Sequence, residues 1–157
     1  MLYKIAKAFH LVGLVTWLGP STGGYLLLLL ARGDGNPVAE LWLLDRYLVL
    51  IHVEAAGLAL MLATGLVMRL SAPALKEARW LKLKLLKVFC VIVPLEAAQL
   101  LIYHITVKPA VASGIGVAGA VRAFDLFSLV ALVLLAITVP LVFYMAVFKP
   151  EIKKMDR

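Results

Sequence analysis

The sequence predicts an all-α fold, an integral membrane four-helix bundle, and two observations support this prediction. Hydrophobic residues make up 64% of the 157 residues and the mean hydropathy is +1.01, whereas soluble domains average about 45–50% apolar residues. A water-soluble globule of this size would leave much of that apolar surface exposed. The chain also has four apolar runs that reach the length of about 20 residues needed to cross a bilayer.

The four predicted membrane spans belong to one domain, residues 1–157. The first run follows Lys4 and Lys7 and is too long for the core of a signal peptide, so we interpret it as a retained helix. The connecting segments "RGDGNP", "SAP" and "KPAVASGIG" are rich in residues that form turns. The predicted spans are 8–31, 47–70, 85–107 and 124–148.

Three prolines and the single cysteine lie inside these runs. Pro20, Pro94 and Pro140 each remove a backbone donor and are expected to bend their helices. Cys90 has no second cysteine to pair with and is interpreted as a small core residue.

The distribution of charge predicts the orientation. Of the 16 Lys and Arg residues, twelve fall on the side that holds both termini and four on the other, which predicts an N-in/C-in topology. Trp42, Tyr47 and Tyr103 are then expected at the outer membrane interface and Trp80 at the inner one. The net charge of +7 is explained by these flanking cations, without nucleic-acid binding. The absence of eukaryotic sorting signals favours a prokaryotic cytoplasmic (inner) membrane.

His52 and His104 are the most informative polar residues. They occupy consecutive antiparallel spans, and each lies 26 residues from residue 78 in the connecting turn. Equal counts at about 1.5 Å per residue predict similar depths, near the outer face. Because histidine ligates metals and haem iron, the two imidazoles are candidate ligands of one metal centre. Small residues that would leave room for a flat macrocycle are Ala55, Ala56, Gly57, Ala97 and Ala98.

Glu54 and Glu96 are acidic residues inside predicted spans. A carboxyl group in that environment is expected to be neutral or paired, and is often functional. We interpret both as candidates for a proton relay or for hydrogen bonding to a ligating histidine. Glu54 follows His52 by two residues and therefore points about 200° away from it around the helix.

His10 is the remaining histidine and lies near the inner side. Its candidate neighbours at that depth are Met68, Met145, Lys84 and Lys87, among which the sequence does not choose. It is interpreted either as the single protein ligand of a haem or as an interfacial residue.

Two segments resemble a known family. "KAFHLVGLVTWLG" resembles the first helix, and "RWLKLKLLKV" the start of the third helix, of HemJ-type protoporphyrinogen oxidases and the related CopD-like membrane proteins. The resemblance implies a small helical membrane protein that binds b-type haem. It implies functional roles for His10 and Lys84, which match the family's first-helix histidine and third-helix lysine, and it adds Trp17 to the candidate cofactor-binding residues.

The function predicted from these features is that of a membrane-embedded b-type haem protein, with one or two haem b groups, in electron transfer or redox chemistry. The alternatives are a HemJ-like oxidase centred on His10 and Lys84, a CopD-like metal-handling protein using His52, His104 and Glu96, and a purely structural subunit. The expected partners are the lipid bilayer and a quinone or a redox protein. The sequence leaves open whether the protein is an enzyme and whether it forms a homo-oligomer.

Overall fold

The computed structural model describes residues 1–33, 35, 37–72 and 78–148 of the chain. Those residues form helices and short turns, and the predicted all-α class is confirmed for them. Four helices are long and apolar enough to cross a membrane: α1 (Leu2–Gly33), α2 (Pro37–Ser71), α3 (Arg79–Ser113) and α4 (Val117–Phe148).

The helices run up and down alternately. We call the end of the bundle where α1 begins and α4 ends the terminal end, and the opposite end the distal end. At the distal end the backbone of Gly35 adopts φ 63° and its amide bonds the carbonyl of Arg32 at 3.0 Å, which closes the turn between α1 and α2. Gly114, with φ 69°, ends α3 in the left-handed conformation that glycine adopts without strain.

All four helices are longer than the predicted spans. They contain 32 to 35 residues, or about 48–52 Å at 1.5 Å per residue, against a hydrocarbon thickness of about 30 Å. At the distal end α2 begins at Pro37 rather than residue 47, and α3 ends at Ser113 rather than residue 107. The additional turns carry charges such as Glu40 and Arg46, which hydropathy excludes from a span although they remain helical.

α3 is interrupted by two π-helical turns, Val88–Ile92 and Tyr103–Val107. Each ends two residues before a proline, Pro94 or Pro109. A proline ring clashes with the carbonyl four residues earlier, and those carbonyls, of Cys90 and Ile105, lie within the π turns. The wider turn relieves the clash. By contrast, α1 and α4 remain α-helical across Pro20 and Pro140.

Most buried apolar side chains of the described residues belong to two clusters. The distal cluster is built from Leu28, Leu44, Tyr47, Ile51, Tyr103, Val107 and Phe124. The terminal cluster is built from Trp17, Leu58, Met61, Val88, Ile92 and Val142. On α2 the buried positions alternate in steps of three and four residues, which is the spacing of one helix face.

α1 and α2 approach each other most closely, at two glycines. A Cβ atom on Gly57 would lie 2.5 Å from the backbone nitrogen of Trp17, and one on Gly13 would lie 2.8 Å from that of Met61. This corrects one expectation: the space beside Gly57 is filled by the α1 backbone and is not free for a macrocycle. Close packing of helices through small residues is common in membranes.

Three further residues differ from their predicted surroundings. Tyr47 and Tyr103, expected at the membrane interface, are 4% and 2% exposed and belong to the distal core. The Tyr103 hydroxyl donates to the carbonyl of Leu44 at 2.7 Å, which explains how its polar end is accommodated. Cys90, expected in the core, is exposed on the outside of α3.

The outer surface of the bundle is apolar. Exposed leucine and valine side chains cover α1 and α4, among them Leu26, Leu30, Leu129, Leu132 and Val133. Such a surface is compatible with a lipid bilayer and is unusual for a protein surrounded by water. The four apolar helices thus identify an integral membrane protein.

Candidate functional site

The rings of His52 and His104 lie next to each other. Their centroids are 5.8 Å apart, with an angle of 78° between the ring planes. The proximity expected from the sequence is therefore present. His52 is exposed on α2, whereas His104 is half-buried on α3 beside Tyr103, with ring centroids 6.1 Å apart.

The π-helical turn Tyr103–Val107 contains His104. A π turn inserts one additional residue into a helix and often occurs at functional sites. In this turn Tyr103 is buried and bonded to α2, while His104 lies beside His52. Pro109, which accounts for the turn, therefore helps to determine where the imidazole lies.

The histidine pair lies further from the helix ends than the predicted spans indicated. His52 is the sixteenth residue of α2, and nine residues of α3 follow His104. The difference arises from the additional distal turns of both helices. The pair consequently lies within the distal half of the bundle and not at its edge.

Glu54 and Glu96 meet at the centre of the bundle. Each lies 17 residues from both ends of its helix, α2 or α3. Glu54 is 2% exposed and occupies a core position between Ile51 and Leu58 on the buried face of α2. Its carboxyl group lies within hydrogen-bonding reach of the Glu96 carboxyl and the Ser21 hydroxyl.

α1 completes this central group, which we call the carboxyl cluster: Trp17, Ser21, Glu54 and Glu96. The indole Nε1 of Trp17 donates a hydrogen bond to Oε1 of Glu96 at 2.7 Å. The Ser21 hydroxyl donates to the backbone carbonyl of Trp17 at 2.7 Å. The structure thus places Trp17 beside an acidic residue of α3.

The contact between the two carboxyl groups of the carboxyl cluster requires that one of them carries a proton. Two carboxyl groups can hydrogen-bond to each other only if one of them is protonated. Glu96 already accepts a hydrogen bond from the indole of Trp17, whereas the single Ser21 proton is directed to a backbone carbonyl and not to Glu54. This pattern favours Glu54 as the neutral acid and Glu96 as the partner that accepts.

His10 forms a third site, in the terminal half of the bundle. Its Nδ1 lies 2.8 Å from the carbonyl oxygen of Met61 and 3.3 Å from the Thr64 hydroxyl oxygen. Because a carbonyl can only accept, the proton of the ring lies on Nδ1, and Nε2 of the neutral ring is left with a lone pair. Gly65 makes room for the ring, since a Cβ there would lie 3.4 Å from Cε1 of His10.

Of the candidate neighbours of His10 that the sequence left open, Lys84 is one whose charge acts on the ring. The two side chains lie close enough for their charges to interact. Lys84 is only partly exposed, although it begins the second turn of α3. The two residues that the family resemblance singled out on separate helices thus interact electrostatically.

Within the described residues, no group of three or more His, Cys, Asp or Glu side chains is arranged to hold a metal ion. The set of His52, His104 and Glu96 therefore does not come together as one metal-binding group. His52 and Glu54 face different ways, as their spacing predicted, because one is exposed and the other buried.

Sequence reasoning missed Ser21, Thr64 and Gly65. Ser21 lies on the buried stripe of α1, four residues after Trp17 and three before Gly24, and this spacing was the available signal. Thr64 and Gly65 are identified only by the packing of α1 on α2, which brings His10 to that level.

No family model matches the chain, and no curated protein or solved structure is detectably similar to it.

Proposed function

We propose that the protein is a membrane-embedded b-type haem protein that takes part in electron transfer or redox chemistry, with His52 and His104 as protein ligands of one haem b. The observation that carries this proposal is the 5.8 Å separation of the two rings. Two imidazoles bound to one metal ion have ring centroids about 5–6.5 Å apart, because each metal–nitrogen bond is about 2.0 Å long.

The donor set favours haem over a bare metal ion. Protein sites for zinc supply three or four ligands of their own, and the described residues provide no such group. A porphyrin brings four nitrogen ligands, so that two imidazoles complete the coordination of its iron. Because His52 is exposed, a macrocycle held between the two imidazoles would lie at the surface of the bundle and could extend into the surrounding lipid.

The protein residues would position the group and handle protons. Haem supplies one-electron redox chemistry when it is bound. His52 and His104 would fix its position between α2 and α3, and Tyr103 would hold His104 through its bond to α2. We propose that the carboxyl cluster takes up or transfers a proton linked to that chemistry, since Glu54 and Glu96 are within hydrogen-bonding reach of each other at the bundle centre.

The distribution of Lys and Arg residues supports an orientation of the protein in the membrane. We propose that the terminal end is cytoplasmic, because twelve of the 16 Lys and Arg residues flank the helices there. A prokaryotic inner membrane, with a quinone or a redox protein as electron partner, is the setting that agrees with this function.

Haem content of the purified protein tests the proposal. The protein, produced with an adequate haem supply, should contain haem b by the pyridine haemochrome assay and show a reduced-minus-oxidised haem spectrum. His52→Ala and His104→Ala should each lose that haem. Thr106→Ala, in the same π turn, is the matched control and should retain it. Wild-type protein without haem would refute the proposal.

A HemJ-like oxidase is the second candidate, favoured by the electrostatic interaction of Lys84 with His10. The Met61 carbonyl orients His10 so that Nε2 is available to a haem iron or a substrate proton. Expression in a strain that lacks protoporphyrinogen oxidase should restore growth, and His10→Ala and Lys84→Ala should abolish the rescue. Lys87→Ala serves as the control. Failure of the wild-type chain to rescue would exclude this candidate.

A CopD-like metal-handling function is the weaker alternative, because it rests on the histidine pair alone. Copper or zinc bound without porphyrin, measured by elemental analysis, would favour it.

A further inference from the structure

An apolar cleft of about 330 Å³ lies between α1 and α2 in the distal half of the bundle. It is separate from the histidine pair, the carboxyl cluster and the His10 site, and nothing in the proposed function uses it. Its lining includes Gly24, Leu27, Trp42, Tyr47, Val49 and Leu50.

The floor of the cleft is closely packed, and two of its lining residues face outward. At Gly24 a Cβ atom would lie 2.8 Å from Leu50 Cδ1 and 3.3 Å from Tyr47 Cε2, so the glycine lets these side chains lean against α1. Tyr47 is held from behind by Phe124, with ring centroids 5.7 Å apart. Leu27 and Val49 are more than half exposed, which opens the cleft to the surrounding lipid.

Arg46 is the one charged residue among the described residues that line the cleft, and its guanidinium lies outside the apolar lining. Arg46 is exposed, and its ion pair with Asp45 is long, at 3.6 Å between two exposed side chains. Such a pair contributes little and leaves the guanidinium available to another anion. Trp42, on the same turn, is 60% exposed, and an exposed indole at a helix end is typical of the headgroup level of a membrane.

We propose that this cleft binds an anionic phospholipid, with an acyl chain along Leu27, Val49 and Leu50 and the headgroup phosphate on Arg46. The apolar lining fits a hydrocarbon chain, which gains little from polar walls. The guanidinium at the rim distinguishes an anionic headgroup from a zwitterionic one, because arginine binds phosphate through paired hydrogen bonds. A neutral amphiphile such as a quinone would use the apolar lining but not the cation.

Native mass spectrometry tests the proposal with defined lipids. Protein from nanodiscs of equimolar phosphatidylglycerol and phosphatidylcholine should retain one phosphatidylglycerol per chain in preference to phosphatidylcholine. Arg46→Gln should reduce that preference about fivefold, the contribution of one arginine near a membrane surface. Arg122→Gln, which removes another exposed cation of the distal end, is the control and should leave the preference unchanged.

A second variant tests the apolar part of the cleft. Leu27→Trp should fill it and reduce retention of both lipids, whereas Leu30→Trp, equally exposed on α1 but outside the lining, should not. Wild-type protein that retains the two lipids equally, or an Arg46→Gln variant with unchanged preference, would overturn the proposal. Co-purification of a quinone that displaces phosphatidylglycerol would also overturn it. Because the readout is bound lipid, its failure is independent of haem content.

Discussion

Trp17 on α1 and Glu96 on α3 are joined by a hydrogen bond of 2.7 Å in the middle of the bundle. The bond links two helices that are not consecutive in the chain, and it attaches the α1–α2 pair to α3. Because Glu96 in turn lies within reach of Glu54, three helices converge on one buried polar group.

The Trp17–Glu96 bond should have a measurable coupling energy. We expect Trp17→Phe and Glu96→Leu to be non-additive in a double-mutant cycle of unfolding free energy, with a coupling of about 0.6–1.7 kcal/mol, as found for hydrogen bonds between membrane helices. Trp42→Phe, at an exposed indole, is the control and should change stability by less than about 0.5 kcal/mol. Additive effects of Trp17→Phe and Glu96→Leu would show that the bond contributes nothing.

Glu54 and Glu96 should hold a proton at neutral pH, because two carboxyl groups in contact require one. Infrared spectroscopy should show the carbonyl band of a protonated carboxylic acid in the wild-type protein. The band should disappear in the double variant Glu54→Gln/Glu96→Gln. It should persist in Glu40→Gln, since Glu40 lies outside the carboxyl cluster and is paired with Arg32 at 2.6 Å. An unchanged band in the double variant would place the protonated acid elsewhere.

Gly57→Ala should disturb the packing of α1 on α2. The new methyl group would lie 2.5 Å from the Trp17 backbone, and overpacking of this kind costs about 1–3 kcal/mol. Gly23→Ala is the matched control, because nothing lies within 4 Å of its added Cβ, and replacing a helical glycine by alanine should stabilise by about 0.5–1 kcal/mol. Thermal unfolding in detergent compares the two. Equal stability of the two variants would contradict the observed helix contact.

Tyr103→Phe should destabilise the distal half of the bundle. The lost hydroxyl donates to the Leu44 carbonyl at 2.7 Å in a buried position, and such a bond contributes about 1 kcal/mol. Haem affinity should fall as well, because Tyr103 adjoins His104. Tyr144→Phe, at a 53% exposed ring, should have neither effect. A Tyr103→Phe variant that matches wild type in both measurements would show that the hydroxyl contributes neither to stability nor to haem binding.

The hydropathy of the sequence predicted the four helices but not where they end. Residues 38–46 carry Glu40, Asp45 and Arg46, so an apolar window excludes them from a span. They nevertheless continue α2, because helix formation depends on backbone bonding and on a partly buried face that includes Leu44. Because the predicted spans were shorter than the helices, His52 and His104 were also predicted to lie nearer to the distal helix ends than they do.

Residue counting predicted that His52 and His104 lie together, because antiparallel helices joined by a turn align residues equidistant from it. The carboxyl cluster was only half predictable. Glu54 and Glu96 are identifiable as acids within apolar runs, but their contact with Trp17 and Ser21 depends on how α1 rotates against α2. That rotation is set by Gly13 and Gly57, whose close contacts no residue count reveals.

The electron paramagnetic resonance spectrum of the oxidised, haem-loaded protein shows directly whether His52 and His104 ligate one haem iron. We expect a low-spin ferric signal of bis-histidine ligation in the wild-type protein and in Thr106→Ala. The signal should be lost, or replaced by a high-spin signal, in both His52→Ala and His104→Ala. An unchanged low-spin signal in these two variants would contradict the claim that the imidazoles 5.8 Å apart hold the haem.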